Sequence, residues 1–154
     1  LRRQRQMCIR DRHYQVIDRD AAGSPEERVE LMRKALLCDT FIMGTNAATE
    51  DGQLYNIDGN GNRVAALVYG PKQVVVIVGM NKVAPTMEDA VVRARTVAAP
   101  INKQRFAAPT PCIVTGMCAD CNSEGSICNQ FVRTRRCSPA GRIKVILVGE
   151  NLGF

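Results

Sequence analysis

The run QVVVIVG, residues 73–79, constrains the fold of this chain more than any other segment. A continuous β-branched run is typical of a parallel strand that is covered on both faces. DTFIMG before it and IKVILVG near the end of the chain are similarly apolar, and we expect them to be buried strands too. Helical patterns that begin near Ser24, Arg63 and Thr86 separate these runs. Helices that alternate with buried strands predict an α/β sandwich with a mostly parallel sheet.

The length of 154 residues suits a single domain that can bury a core without cross-links. No apolar run reaches the roughly 20 residues needed to cross a bilayer. The Arg-rich N-terminus also lacks the apolar core of a signal peptide. We therefore expect a cytoplasmic protein with no membrane span. In that compartment clustered thiols are more often metal ligands or catalytic groups than disulfides.

Much of the formal charge of +6 lies in residues 1–12, LRRQRQMCIRDR, where five Arg and one Asp contribute +4 and leave +2 for the rest. With no Trp, three Tyr and four Phe, the chain lacks aromatic stacking platforms, so no nucleic-acid partner is expected. MCIRDR resembles the translation of a sequencing-library adapter. Residues 1–12 are therefore interpreted as a non-native or disordered tail, and residues 13–154 as the α/β domain.

Polar loops follow several of the predicted strands, where ligands of open α/β sheets bind. One interpretation is a pocket for a small anionic metabolite, in which Arg63 or Lys82 neutralises charge and Glu50 is a general base. The other is that GTNAATEDG is only a loop and DGNGN only a turn and helix cap. The candidate catalytic residues are Glu50 and Lys82. The candidate substrate-binding residues are Thr45, Asn46, Thr49, Asp58, Asn60, Asn62, Arg63 and Asn81.

Residues 107–129 form a Cys-rich loop with the spacing Cys112-x5-Cys118-x2-Cys121-x6-Cys128. A CxxC pair can point both sulfurs at one ion, and the flanking cysteines complete four ligands. A thioredoxin-like redox motif fits less well, because the pair lies in a Gly/Ser/Asn-rich loop. The cofactor is expected to be zinc or an iron–sulfur cluster, and the spacing leaves both open. The nearby basic residues that could balance the thiolate charge are Lys103, Arg105, Arg133, Arg135 and Arg136, whereas Cys8, Cys38 and Cys137 are expected bystanders.

Several long runs resemble the LUD-domain family, which is associated with lactate utilisation. They are TNAATEDG, NIDGNGNR, AAPINKQR, TPCIVTGMCADC and the ending IKVILVGENLGF. The resemblance extends from about Tyr14 to Phe154. It implies a Rossmann-like fold similar to ribose phosphate isomerases, glucosamine phosphate deaminases and CoA transferases. It also implies iron–sulfur or flavin-type redox partners in lactate oxidation, although fold similarity alone does not transfer a chemistry.

Members of this subgroup carry a strand-helix-strand unit before the segment near Tyr14, where the tail stands here. We expect a fragment that is incomplete at its N-terminus, exposes strand edges and associates. Three functional hypotheses follow. The first is an accessory or redox component of lactate or organic-acid utilisation with a Cys-ligated metal centre. The second is an isomerase- or transferase-like enzyme for a small phosphorylated or acyl substrate, with a structural zinc, and the third is a non-catalytic, metal-stapled interaction module.

Overall fold

The computed structural model describes residues 14–154, so the tail assigned to residues 1–12, with Cys8, lies outside the described residues. The strands are β1 (Thr40–Gly44), β2 (Ala47–Thr49), β3 (Leu54–Asp58), β4 (Gln73–Gly79), β5 (Val83–Ala84), β6 (Gln130–Thr134) and β7 (Ile143–Val148). The helices are α1 (Pro25–Lys34), α2 (Asn62–Val68), α3 (Met87–Arg93), α4 (Ala99–Lys103) and α5 (Pro111–Thr115). Short 3-10 turns span Arg19–Ala21, Ala35–Leu37 and Met80–Lys82, and a π-helical segment, Ala94–Ala98, joins α3 to α4.

The described strands form two sheets. The parallel sheet has the order β1-β4-β7, and both of its strand pairs are parallel. The mixed sheet has the order β5-β2-β3-β6, in which β2 is parallel to β5 and β3 is antiparallel to both β2 and β6. Interleaved helices and strands with a mostly parallel sheet confirm the predicted α/β class, and they are consistent with a Rossmann-like fold.

Side chains of β2 and β3 alternate between the two faces of the mixed sheet, as strand geometry requires. One face contributes Ala48 and Leu54 to a core cluster with Met43, Leu67, Val74, Val76 and Val78. The other face contributes Ala47, Tyr55 and Ile57 to a second cluster with Ala84, Ala90, Ala94 and Ala99. The mixed sheet therefore joins the parallel sheet on one side to the α3–α4 helix on the other.

Two helix starts agree with the sequence pattern. Ser24 precedes α1, and its Oγ accepts a hydrogen bond from the Glu27 N–H at 3.1 Å. Thr86 caps α3 in the same way, accepting from the Asp89 N–H at 3.1 Å. These bonds satisfy N–H groups that have no partner inside the helix.

Pro100 does not end the helix that Thr86 caps. The helix continues from α3 through the π-helical segment into α4, where Pro100 lies in the first turn. A proline inside an α-helix lacks one N–H and clashes with the preceding turn. The wider π turn relieves this clash, so the chain remains helical to Lys103.

The interpretation of GTNAATEDG as a loop is also incomplete, because Ala47–Thr49 within it is strand β2. All three of its residues are buried. The strand pairs with β3 on one side and with β5 on the other. A strand of three residues is too short for an alternating pattern to reveal it.

QVVVIVG was predicted to be covered on both faces, and the other two apolar runs to be buried strands. On the outer face of the parallel sheet these predictions are wrong. Alternate side chains of β4 are fully buried, whereas Val75 and Ile77 between them are only half-buried. Ile42 lies opposite Val75 and is 52% exposed, and Ile146 lies opposite Ile77 and is 49% exposed. The β-branched run therefore reflects strand propensity and burial on one face.

Candidate functional site

A cavity lies between the α3–α4 helix, the mixed sheet and the Cys-rich loop. Its apolar walls include Ile57 of β3, Ala99 of α4 and Phe131 of β6. All four loop cysteines, Cys112, Cys118, Cys121 and Cys128, line this cavity. The structure thus brings the four predicted metal ligands to one place.

The backbone of the loop explains how the first three cysteines reach the cavity. Cys112 lies in α5, which ends at Gly116 with a φ of +73°. Only glycine adopts that left-handed conformation without a steric penalty. Asp120, between Cys118 and Cys121, has a φ of +49°, a conformation that aspartate tolerates better than most residues. These two left-handed residues turn the chain on either side of Cys118.

The two limbs of the loop meet at Gly125. A Cβ atom at this position would lie 2.8 Å from the Ala108 Cβ and 3.1 Å from the Pro109 carbonyl oxygen. Such a distance is closer than carbon atoms normally approach, so the side chain of any other residue would push the limbs apart. Cys128 then ends the loop against the second core cluster, just before β6.

The electrostatic environment differs among the four thiols. Burial, followed by repulsion from the other three thiols, raises the pKa of Cys128. Hydrogen bonds from the side chain and backbone of Ser123 lower the pKa of Cys121. The other three thiols therefore affect the charge of Cys128.

Two basic side chains also line the cavity. Arg95 forms an ion pair with Asp120 and a hydrogen bond with Cys118, and both contacts raise the pKa of Arg95. Lys103 is 1% exposed and donates to the carbonyl oxygens of Phe106 and Ala108. Of the five basic residues considered from the sequence, Lys103 is the one that reaches the cavity wall, and Arg105 and Arg133 are exposed.

The four cysteine thiols have the chemistry of a metal centre, although their side chains are not arranged as ligands in this structure. Four sulfur atoms are the number that a zinc ion or a four-iron four-sulfur cluster requires. Within residues 14–154, no three His, Cys, Asp or Glu side chains lie close enough to share a metal ion. Binding of a metal ion therefore requires the thiols to move closer together.

Several predicted substrate-binding residues form a hydrogen-bonded network around Arg63. The Arg63 guanidinium donates to Asn46 Oδ1 at 2.8 Å and to the Ile57 and Gly44 carbonyl oxygens at 2.8 Å and 3.1 Å. It also donates to Asn56 Oδ1 at 3.0 Å, and its Nε lies 3.7 Å from Asp58 Oδ1. Because its N–H groups face protein oxygen atoms, binding of an anion at Arg63 would have to replace these bonds.

Asp58 and Thr45 also have partners in this network. Asp58 Oδ2 accepts from the backbone N–H groups of Arg63 and Val64 at the start of α2. Thr45 is buried, and its hydroxyl lies within 3.3 Å of the Ala47 and Tyr55 carbonyl oxygens and Asn56 Oδ1. Asn60 is exposed, and Asn62 begins α2. The assignment of all four as substrate ligands stays a prediction.

Lys82 lies beside this network at the carboxyl ends of β1 and β4. It is 8% exposed, and its Nζ donates to the Thr45 carbonyl oxygen at 3.2 Å. Asn81 connects to the C-terminal segment, donating to the Gly153 carbonyl oxygen at 3.1 Å and accepting from the Leu152 N–H at 3.1 Å. A buried lysine at strand ends is suited to contact an anion, so its proposed role keeps a structural basis.

Glu50 lies away from Lys82. β2 and β5 run parallel, and Lys82 immediately precedes β5 whereas Glu50 immediately follows β2. The two residues therefore lie at opposite ends of this strand pair. Thr49 shares the Glu50 end of the strand, where its hydroxyl bonds to Asp51 and accepts from the Gln53 N–H at 2.9 Å.

Sequence reasoning missed three residues that the structure places at these sites. Arg93 links two strand ends, donating to the Asn46 carbonyl oxygen at 2.6 Å and to the Asn81 carbonyl oxygen at 2.8 Å. Asn56 is fully buried and accepts from Arg63. Arg95 was detectable, because Arg95, Ala99 and Lys103 recur every four residues and so share one helix face.

Comparison with known proteins agrees with the sequence motifs. A family model described as the LUD domain matches residues 6–148. No curated protein and no solved structure matches this chain significantly. Among the described helices, none has both the length and the apolar character needed to traverse a membrane. Because the family match covers most of the chain, the protein belongs to the LUD-domain family, which is associated with lactate utilisation.

Proposed function

We propose that this chain is an accessory or redox component of lactate or organic-acid utilisation, with a metal centre held by Cys112, Cys118, Cys121 and Cys128. The observation that carries the proposal is that all four thiols line a single cavity. An iron–sulfur cluster in this position would carry single electrons, whereas zinc would only stabilise the loop. The partners we propose are a small anionic metabolite and iron–sulfur or flavin-type redox proteins.

The surrounding residues support this role by binding, orienting and shielding the thiols. Arg95 holds the CxxC turn against the helix through Asp120 and Cys118. Ile57 and Phe131 supply apolar walls that exclude part of the water. A less polar surrounding strengthens the interaction between the thiolates and a cation.

The metal content of the chain tests the proposal. The protein is purified anaerobically, reconstituted with iron and sulfide or with zinc, and measured for iron, sulfide, zinc and visible absorption. We expect either one zinc per chain or a brown protein with matching iron and sulfide. Replacing any of the four cysteines by Ser should reduce the bound metal, and Cys38→Ser is the matched control outside the cavity. A wild-type chain that binds neither metal would overturn the proposal.

The enzymatic alternative rests on the buried Lys82 at the strand ends. It predicts turnover of a small phosphorylated or acyl substrate that is lost in Lys82→Met and Glu50→Gln while zinc binding persists. The separation of Glu50 from Lys82 gives this alternative weaker geometric support than the cysteine cavity. Zinc binding without turnover or electron transfer would instead favour the metal-stapled interaction module.

A further inference from the structure

One wall of the cysteine cavity carries a positive charge whose hydrogen-bond partners are neutral. Lys103 ends α4 and is 1% exposed. Its Nζ donates to the Ala108 carbonyl oxygen at 2.5 Å and to the Phe106 carbonyl oxygen at 3.3 Å, and lies 5.9 Å from the centroid of the Phe106 ring. In the part of the chain that the structure describes, the ion pairs of 4.0 Å or less do not include Lys103. Backbone dipoles therefore take the place of a carboxylate.

Arg95, the other basic side chain of the cavity, differs in this respect. Its guanidinium pairs with the Asp120 carboxylate, so the two charges largely cancel. Lys103 thus supplies the uncompensated charge of the wall. Because a buried ammonium without a counter-ion is unfavourable, its place in the lining of the cavity that the four thiols share favours an anion there.

We infer that Lys103 is the fixed counter-charge of the cysteine site and favours its anionic, metal-loaded state. The inference rests on the proposed metal centre. Four thiolates around Zn²⁺ or around a four-iron four-sulfur core carry net negative charge. If the centre is an iron–sulfur cluster, one-electron reduction by an external reductant adds another negative charge. Lys103 then stabilises the reduced form and raises the reduction potential.

Three substitutions separate the charge of Lys103 from its hydrogen bonds. Lys103→Gln removes the charge but keeps N–H donors for the two carbonyl groups. Lys103→Met removes both, and Lys103→Arg keeps the charge. Lys72→Met is the control, because Lys72 is an exposed lysine that pairs with Asp39 at 2.7 Å, outside the cavity lining.

The test reconstitutes these proteins with iron and sulfide, and separately with zinc. For the cluster, potentiometric titration with dithionite should show an equilibrium constant for reduction about tenfold lower in Lys103→Gln and Lys103→Met, or about 59 mV. For zinc, competition with a chelator should show about tenfold weaker binding in both variants. Lys103→Arg and Lys72→Met should match the wild type in both measurements.

The possible results separate a failure of the inference from a failure of the proposed function. Equal potentials and equal zinc affinities in the wild type and Lys103→Gln overturn the inference but leave the metal centre intact. If only Lys103→Met lowers the reduction potential or the zinc affinity, Lys103 acts by holding the loop through its hydrogen bonds. That result also overturns the inference. A wild-type chain without metal overturns the proposed function together with the inference. If circular dichroism shows that Lys103→Met does not fold, the inference is tested by comparing Lys103→Gln with the wild type.

Discussion

The Arg63 side chain connects several segments of this protein through hydrogen bonds. Its planar guanidinium joins the end of β1, the loop after it, and strand β3 through hydrogen bonds to Gly44, Asn46, Asn56 and Ile57. Burial lowers the pKa of Arg63, and the nearby Asp58 carboxylate opposes that shift. A lysine cannot reproduce this set of bonds, because its single ammonium is not a planar fork.

Arg63→Lys is therefore expected to lower the free energy of unfolding. Losing two or more hydrogen bonds to partly buried acceptors should cost about 2–4 kcal/mol. Urea denaturation followed by circular dichroism measures the change. Arg133→Lys is the control, because Arg133 is exposed and bonds to Gln53 at 2.9 Å. Equal losses in the two variants would contradict a special role for Arg63.

Asp51 gives the turn after β2 a dependence on pH. Hydrogen bonds from Thr49 and then Gln53 lower the pKa of its carboxyl group in the folded protein. In the unfolded chain the pKa of an aspartate is about 3.9, and in the folded protein the pKa of Asp51 is lower. The ionised carboxylate therefore stabilises the folded state above the unfolded-state pKa, and this stabilisation is lost as the pH falls through the folded-state pKa.

Asp51→Asn should consequently weaken the dependence of stability on pH below about 4. Thermal unfolding measured from neutral to acidic pH would show a smaller drop for the variant than for the wild type. Glu150→Gln, at an exposed carboxyl group outside this turn, serves as the control. Parallel curves for wild type and Asp51→Asn would argue against this assignment.

At the scale of elements, one helix and one loop together form the cysteine cavity. The π-helical segment carries Arg95, and α4 carries Ala99 and Lys103 on the cavity side. The loop returns over this face and closes at Gly125, where its two limbs come together. The helix thus supplies charge and a wall, while the loop supplies the thiols.

Gly125→Ala should disturb the loop without disturbing the sheets. The added methyl group would meet Ala108 Cβ at 2.8 Å, so the two limbs of the loop must separate, which hinders the thiols from coming together around a metal ion. We expect about tenfold weaker zinc binding, measured by competition with a chelator. Gly149→Ala is the control, since a Cβ there has no atom within 4 Å. Unchanged zinc affinity in Gly125→Ala would contradict the importance of this contact.

Across residues 14–154 as a whole, no described element covers the outer face of the parallel sheet, which is apolar. Ile42 and Ile146 on its outer face are about half exposed, and Leu147 on edge strand β7 is 58% exposed. Contiguous exposed apolar residues and an open strand edge favour association.

Ile146→Lys should reduce self-association. Charge on the outer face of β7 opposes close contact between two apolar sheets, so we expect about tenfold weaker association. Sedimentation velocity over a range of concentrations provides the measurement. Val92→Lys, at a 58% exposed position in α3, controls for the added charge. Identical sedimentation of wild type and Ile146→Lys would show that this face is not the contact.

Much of the fold was predictable where a few neighbouring residues determine the structure. The Ser24 and Thr86 caps follow from hydrogen bonds between residues three positions apart. The central strand QVVVIVG follows from β-branched composition. By contrast, β2 exists because two other strands flank it, and the half-buried face of β4 depends on how the other described elements pack around the sheet.

In the candidate site, too, local features were predictable and contacts between distant segments were not. The family, the α/β class and the four candidate ligands were predictable, because motif residues and spacing are local properties. The folded chain was needed to show that all four cysteines and Lys103 share one cavity, that Arg95 is balanced by Asp120, and that Arg63 bonds within the protein. These facts depend on contacts between segments distant in sequence, and such contacts form only when the helix, the sheets and the loop pack together.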